Sequence, residues 1–219
     1  MSKKIGLLTI GQAPRVDMTP EMEILVGDGC TFIEAGALDD LTAGEIKSLA
    51  PEAGEAVYVS RLRTGEHAKL VKSKLYPLLQ EKILQLEEQV SSTIIACTGN
   101  FPYFVHSKPL LYPDKVLTNT VTAVLGNGKL GAIVPLPEQL ESLAEKWQGI
   151  PILTEHGNPY VADVDLVTPA RRLKEQGATI IVLDCMGYTE AHKEIVKNET
   201  GLPVILPRSI VARVAAELA

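Results

Sequence analysis

The chain has 219 residues, a hydrophobic fraction of 46% and a formal net charge of −6. That composition suits a globular protein with a real core, long for one domain and short for two, and excludes a disordered chain. The mild acidity and the lack of a concentrated basic face argue against nucleic acid as a partner.

The chain opens with MSKKIGLLTIGQ, where two lysines precede an apolar run that ends at Gly11-Gln12. The run is too short for a secretory h-region, and no apolar stretch reaches the ~18–20 residues of a membrane helix. A cytoplasmic location with no membrane partner is expected. Short β-branched runs alternate with helix-period runs, the pattern of a mostly parallel sheet with crossover helices. Lys4–Ile10 is a predicted strand, and Thr19-Pro20-Glu21 opens a helix with a cap residue followed by proline. Cys30–Glu34 and Val57–Ser60 are strands. His67–Leu86 is a long predicted helix, with Leu70, Val71, Leu75, Leu78, Leu79, Ile83 and Leu86 on its apolar face and Lys69, Lys72 and Lys74 on its solvated side. Thr93–Cys97 is a strand.

The organisation then restarts. Pro109–Leu125 is expected to be helical in part, Leu130–Val134 a strand, Gln139–Trp147 a helix and Pro151–Leu153 a short strand. Val167–Gln176, capped near Thr168-Pro169, is a helix, Thr179–Asp184 a strand, Thr189–Asn198 a helix, Val204–Leu206 a strand and Arg208–Leu218 a closing helix. Lys4-Ile5-Gly6-Leu7-Leu8-Thr9 resembles Lys129-Leu130-Gly131-Ala132-Ile133-Val134, and the stretch Leu86 to Gly99 resembles Leu173 to Gly187 with a one-residue slip on each side of the turn. Two related halves are expected: 1–115 with 207–219 as the first α/β lobe, and 116–206 as the second.

Three cysteines without a secretory signal argue against a disulfide framework, and their spacing fits no zinc site. Cys97 and Cys185 each close a hydrophobic strand and precede a polar, glycine-containing turn. That is the edge where open α/β sheets bind ligands. A turn leading to a helix N-terminus favours anions and lowers a thiol's pKa. Two such thiols on opposite sides of a small substrate make a two-base device: a thiolate removes a proton from a carbon acid and a thiol returns one to the other face. Cys30 opens its strand at the amino end and is expected to be structural.

Ile94-Ile95-Ala96-Cys97-Thr98 and Leu183-Asp184-Cys185-Met186-Gly187 resemble the two cysteine segments of the aspartate/glutamate/hydantoin racemase superfamily. With Thr9-Ile10-Gly11-Gln12-Ala13-Pro14-Arg15, Ala50-Pro51-Glu52-Ala53-Gly54-Glu55, Ile133-Val134-Pro135 and Ile210 to Leu218, the whole chain resembles an AroM-like member of that superfamily. The resemblance implies a pseudo-twofold pair of α/β lobes, each with a parallel four-stranded sheet flanked by helices, the closing helix packing on the first lobe. It also implies catalysis without a cofactor, a link to aromatic amino-acid metabolism and a homodimer. The chain departs from glutamate racemases after both cysteines, where Thr98-Gly99-Asn100 and Met186-Gly187-Tyr188-Thr189 stand, and after the first strand, where Gly11-Gln12 replaces their Asp-Ser pair.

The candidate substrate-binding residues are Gln12 and Arg15 on the ligand edge and the turn residues Thr98, Gly99, Asn100, Gly187, Tyr188 and Thr189. Arg15 reads either as a carboxylate clamp or as the partner of Asp17. Asp184 reads as a structural hydrogen-bond partner, or, if it faces the ligand, as a charge that makes Cys185 the proton donor. His67, His106, His156 and His192 are scattered and read as surface or satisfied residues. Gly126-Asn127-Gly128-Lys129-Leu130-Gly131 matches G-x-G-x-x-G but leads into a strand, so it is a turn and not a dinucleotide site; no metal or cofactor is expected. The leading expectation is a cofactor-independent racemase or isomerase acting on a small carboxylate or carbonyl-activated substrate (an amino acid, hydantoin or aromatic acid). Its rivals are a single-cysteine decarboxylase or cis–trans isomerase, and a non-catalytic small-molecule binding or regulatory protein.

Overall fold

The computed structural model describes residues 3–140 and 143–219. The chain divides into two compact units, Met1–Pro113 with Ala212–Ala219, and Asp114–Val211. In chain order the first holds β1 (Lys3–Thr9), α1 (Thr19–Val26), β2 (Cys30–Gly36), α2 (Ala43–Ser48), β3 (Val57–Arg61), β4 (His67–Val71), α3 (Lys72–Glu87), β5 (Ser92–Ile95) and β6 (Leu110–Leu111). Then come α4 (Pro113–Leu125), β7 (Lys129–Val134), a 3-10 turn (Pro137–Gln139), α5 (Leu143–Lys146), β8 (Ile152–His156), α6 (Val167–Glu175), β9 (Ala178–Leu183), α7 (Glu190–Thr200), β10 (Val204–Ile205) and α8 (Pro207–Glu217).

Each unit is built on a parallel four-stranded sheet, ordered β2-β1-β5-β6 in one and β8-β7-β9-β10 in the other. The two orders are the same path, with β1 matching β7, β2 matching β8, β5 matching β9 and β6 matching β10. The central strands are buried along nearly their whole length, which is why they read as continuous apolar runs rather than as alternation. Leu8 and Ile95 pack with Leu75, Leu79 and Ile83 of α3. In the second unit Ile133, Ile181 and Leu183 pack with Ala170 and Leu173 of α6 and Val196 of α7. Leu130, Ala132 and Val182 meet Leu117 and Val121 of α4 and Trp147. A fully buried leucine or isoleucine contributes about 1.5–3 kcal/mol, so these clusters carry the stability of each sheet. The matched glycines Gly6 and Gly131 allow the central strands to be crossed closely: a Cβ at Gly6 would sit 2.7 Å from Thr93 Oγ1, and one at Gly131 would sit 3.2 Å from the Ala178 Cβ.

Several local expectations are corrected. His67–Val71 is not the start of a helix but strand β4, antiparallel to β3 with Tyr58 opposite Leu70 and Ser60 opposite Ala68. Cross-strand pairing overrides a helical period over these five residues, and Gly65 at φ 88° makes the turn. The segment 109–125 splits, because Leu110 and Leu111 pair with Thr93 and Ile94 as an edge strand and Pro113 then begins α4. The predicted helix 139–147 is a 3-10 turn followed by the short α5; residues 141 and 142 of that prediction lie outside the described residues. Leu166 stands at the N-cap of α6, and Asp165 before it accepts through Oδ1 from the N–H groups of Val167 and Thr168 at 3.0 and 3.1 Å. Met18, not Thr19, stands at the N-cap of α1. α2 lies outside the predicted elements although its start carries the S/T-x-x-E signature: Thr42 and Glu45 form a reciprocal capping box. No helix among the described residues is long and apolar enough to cross a membrane.

Candidate functional site

The two cysteine turns are built in the same way. In the first unit Leu8 of β1 lies opposite Ile95 of β5. The sheet continues one step further, with Ala96 N donating to Leu8 O at 2.7 Å, and then breaks as Cys97 N turns back onto Ile95 O at 2.8 Å. In the second unit Ile133 of β7 lies opposite Leu183 of β9. Asp184 N donates to Ile133 O at 2.8 Å and Cys185 N to Leu183 O at 2.8 Å. In both turns the glycine two residues on aims its N–H at the sulfur: Gly99 N to Cys97 Sγ and Gly187 N to Cys185 Sγ, each 3.3 Å. The turns therefore correspond residue for residue, without the gap that the sequences suggest. Neither cysteine forms a disulfide among the described residues, and both are half-buried. An N–H donated to sulfur stabilises the thiolate over the thiol.

Each glycine is also required by a tyrosine lying over it. A Cβ at Gly99 would come 2.5 Å from Tyr58 Cε1, and one at Gly187 would come 2.5 Å from Tyr160 Cζ. Tyr58 donates its hydroxyl to Asn100 O, stacks on Phe101 with ring centroids 4.7 Å apart, and has Lys72 Nζ 4.6 Å above its ring. Tyr160 places its hydroxyl 3.7 Å from Cys185 Sγ. Sequence reading missed both tyrosines. They come from β3 and from the loop after β8, and nothing local in the sequence ties either one to a cysteine turn.

A family model described as AroM protein matches residues 5–219. The chain belongs to the AroM family. No curated protein gives a significant sequence match. Among solved structures, the fold is similar to that of the aspartate racemase of Picrophilus torridus, at 12% identity and TM-score 0.58, covering 98% of this chain and 93% of that one. It is also similar to the maleate isomerase Iso of Pseudomonas putida S16, at 14% identity and TM-score 0.60, covering 96% and 90%. A third is the glutamate racemase of Thermus thermophilus, at 14% identity and TM-score 0.57, covering 99% and 80%. This AroM-family chain thus has the α/β fold of the aspartate and glutamate racemases, with its two matching sheets.

The remaining candidates in the AroM-family chain fall into two groups. Thr98, Gly99 and Asn100 follow Cys97 directly, with Asn100 exposed. Gly187 follows Cys185, and Thr189 caps α7: its hydroxyl oxygen accepts from His192 N at 3.3 Å while His192 Nδ1 accepts from Thr189 N at 3.1 Å. Arg15 and Tyr188 have partners within the protein. Arg15 is 5% exposed, and its Nε and Nη2 form a fork on Asp17, each at 2.8 Å, with Nη1 on Thr9 Oγ1 at 3.2 Å. Burial pulls the Asp17 carboxyl up, but the hydrogen bonds and charge of Arg15 outweigh it and hold the group below its ordinary value. Tyr188 is fully buried in the core of the second unit, and its hydroxyl donates to Gly157 O at 2.6 Å. The tight turn at Cys185 points Tyr188 inward, and burial pushes its phenol far above the ordinary value.

Gln12 fastens the loop after β1 to the β3–β4 hairpin, its Oε1 accepting from Arg63 N at 3.1 Å and its Nε2 donating to Leu38 O at 3.4 Å. It lines an open groove of about 590 Å³ with residues of α2 and the hairpin, among them Ile46, Leu62 and Lys69. Arg63 also donates to Ala13 O at 2.6 Å and to Asp39 Oδ1 at 2.8 Å. Asp184 takes its structural role: Oδ1 accepts from Lys146 Nζ at 2.6 Å and Oδ2 from Trp147 Nε1 at 3.2 Å. Cys30 begins β2 opposite Lys3, at the amino end of the sheet. Of the histidines, His106 and His156 are exposed, His67 lies in β4 and His192 serves the α7 cap. Among the described residues no group of three or more His, Cys, Asp or Glu is placed to hold a metal ion.

Proposed function

We propose that this AroM-family protein is a cofactor-independent racemase or isomerase, with Cys97 and Cys185 as its acid–base pair. The observation that carries the reading is the identical backbone setting of the two sulfurs, each at a strand's carboxyl end and each receiving a glycine N–H at 3.3 Å. One sulfur acts as thiolate and takes a proton from the substrate carbon: the C–H bond breaks, an S–H bond forms, and the electron pair spreads into the adjacent carboxylate or carbonyl. The other thiol delivers its proton to the opposite face, so an S–H bond breaks and a C–H bond forms. The product leaves inverted with the two protonation states exchanged, and the reverse reaction starts from the other sulfur.

The substrate is a small carboxylate or carbonyl-activated acid. Donors suited to its carboxylate are the hydroxyls of Thr98 and Thr189, the side chain of Asn100 and the N-terminal end of α7. The racemases and the maleate isomerase of similar fold support an isomerase class, and the family's name brings aromatic and cyclic acids into the set to be tried. The test is proton NMR in deuterated water with pooled amino acids, hydantoins, hydroxy acids and aromatic acids. Loss of an α-proton that needs both Cys97 and Cys185 is the expected result. Exchange that survives Cys97→Ala or Cys185→Ala overturns the pair and favours single-cysteine chemistry. Tight binding of a pool member with no exchange favours a binding protein.

A further inference from the structure

We propose that Tyr160 is a positioning residue that donates its hydroxyl to Cys185 and holds this sulfur as the thiolate. Within the proposed function, on which the role rests, this makes Cys185 the base that takes the substrate proton.

The hydroxyl lies 3.7 Å from Cys185 Sγ, a contact in which either atom can be the donor, and Gly187 N–H already donates to the same sulfur at 3.3 Å, which leaves the hydroxyl as the natural donor to a thiolate there. The placement is built, not incidental. Gly157 N donates to Val134 O at 2.9 Å, extending the β8 side of the sheet, and the buried Tyr188 hydroxyl holds Gly157 O at 2.6 Å from beneath. Asn158 Oδ1 then accepts from Tyr160 N at 3.0 Å, an Asx turn that fixes the backbone from which the ring projects. Gly187 leaves the space the ring fills, since any Cβ there would meet Tyr160 Cζ at 2.5 Å. The tyrosine over the other turn is used differently: a phenol has one proton, and Tyr58 gives its proton to Asn100 O. The two turns thus share a backbone design and differ in what their tyrosines do.

The charged and titratable groups described around Cys185 have partners of their own. Asp184, next in the chain, turns its charge onto Lys146 and Trp147. Arg208, fully buried, donates through Nε and Nη2 to Met186 O at 2.9 and 2.6 Å and puts a positive charge behind the turn. Tyr188 keeps its proton on Gly157 O. At the start of α7, Glu190 is paired with Lys193 and Ser209, and His192 serves the cap. A donor to the charged form of an acid lowers its pKa.

The test is peptide-resolved alkylation by iodoacetamide across pH 5–10 on the full chain, which reads Cys185 and Cys97 in the same sample. Tyr160→Phe removes only the hydroxyl and is expected to move the Cys185 midpoint up by roughly half a unit to one unit, with the Cys97 midpoint unmoved. If circular dichroism shows that this variant does not fold, Tyr160→Met fills the space without a hydroxyl and gives the same readout. A Cys185 midpoint that stays in place, or that moves together with Cys97, overturns the proposal. The readout needs no turnover, so it succeeds or fails independently of the isomerase reading.

Discussion

Lys146 Nζ lies 2.6 Å from Asp184 Oδ1, with the lysine side chain 13% exposed and the aspartate side chain 2% exposed. The pair anchors the residue before Cys185 to α5. Removing the cation takes the paired positive charge from a buried carboxylate that also accepts from Trp147 Nε1. Lys146→Met is therefore expected to destabilise the fold by about 3–5 kcal/mol, measured by urea unfolding, and Asp184→Asn by less, because the amide still accepts from Trp147.

Gly187 and Tyr160 compete for one space. Gly187→Ala is expected to cost about 1–3 kcal/mol through overpacking. In a Tyr160→Ala background most of that cost should vanish, since the atoms that would be struck are gone. A double-mutant cycle by thermal unfolding reads the coupling directly; additive costs would show that the glycine is required for another reason.

The Arg15–Asp17 fork predicts a pH-dependent stability. Asp17 titrates below its unfolded value of 3.8 in the folded chain, so the pair stabilises the fold fully above that value and the benefit fades as pH falls through the folded value. The stability difference between the wild type and Asp17→Asn should be constant from pH 7 down to about 5 and shrink steadily below. Arg15→Lys should lose part of the same difference, because an ammonium lacks the fork.

Asp114 predicts the opposite slope. It is 3% exposed at the start of α4, its Oδ1 has no hydrogen-bond partner among the described residues, and its pair with Lys115 is long at 3.5 Å. Burial raises its carboxyl above the ordinary 3.8, with Lys115 and Lys146 opposing. The unfolded chain then ionises first, and this group weakens the fold as pH rises from about 3.8 toward the folded value. Asp114→Asn should match the wild type at the acid end of the range and gain on it toward pH 7, in melting temperatures taken at half-unit steps.

How much could be read from the sequence follows from where the signal lies. β1, β5, β7 and β9 were legible because strands buried on both faces are apolar throughout. The cysteine turns were legible because a thiol after such a strand and before a glycine is a local pattern. The repeat was visible too, but its true register was not: Ala96 and Asp184 differ in chemistry while both continue the sheet by one backbone hydrogen bond, to Leu8 O and Ile133 O. β4 differs from the helix its sequence suggests because its leucine and valine fit two periods at once, and only pairing with β3 selects one.

The sequence by itself determined the α/β class, the doubled architecture and the strand-end position of Cys97 and Cys185, since each depends on residues near one another in the chain. Tertiary structure alone decided which polar groups face which. Arg15 turned to Asp17 and Tyr188 went into the core, while Tyr160 arrived at Cys185 from a separate loop. The physical reason is that burial and hydrogen bonding are settled by three-dimensional neighbours. A buried polar side chain goes where its partner stands, and that partner's place is written in no local pattern.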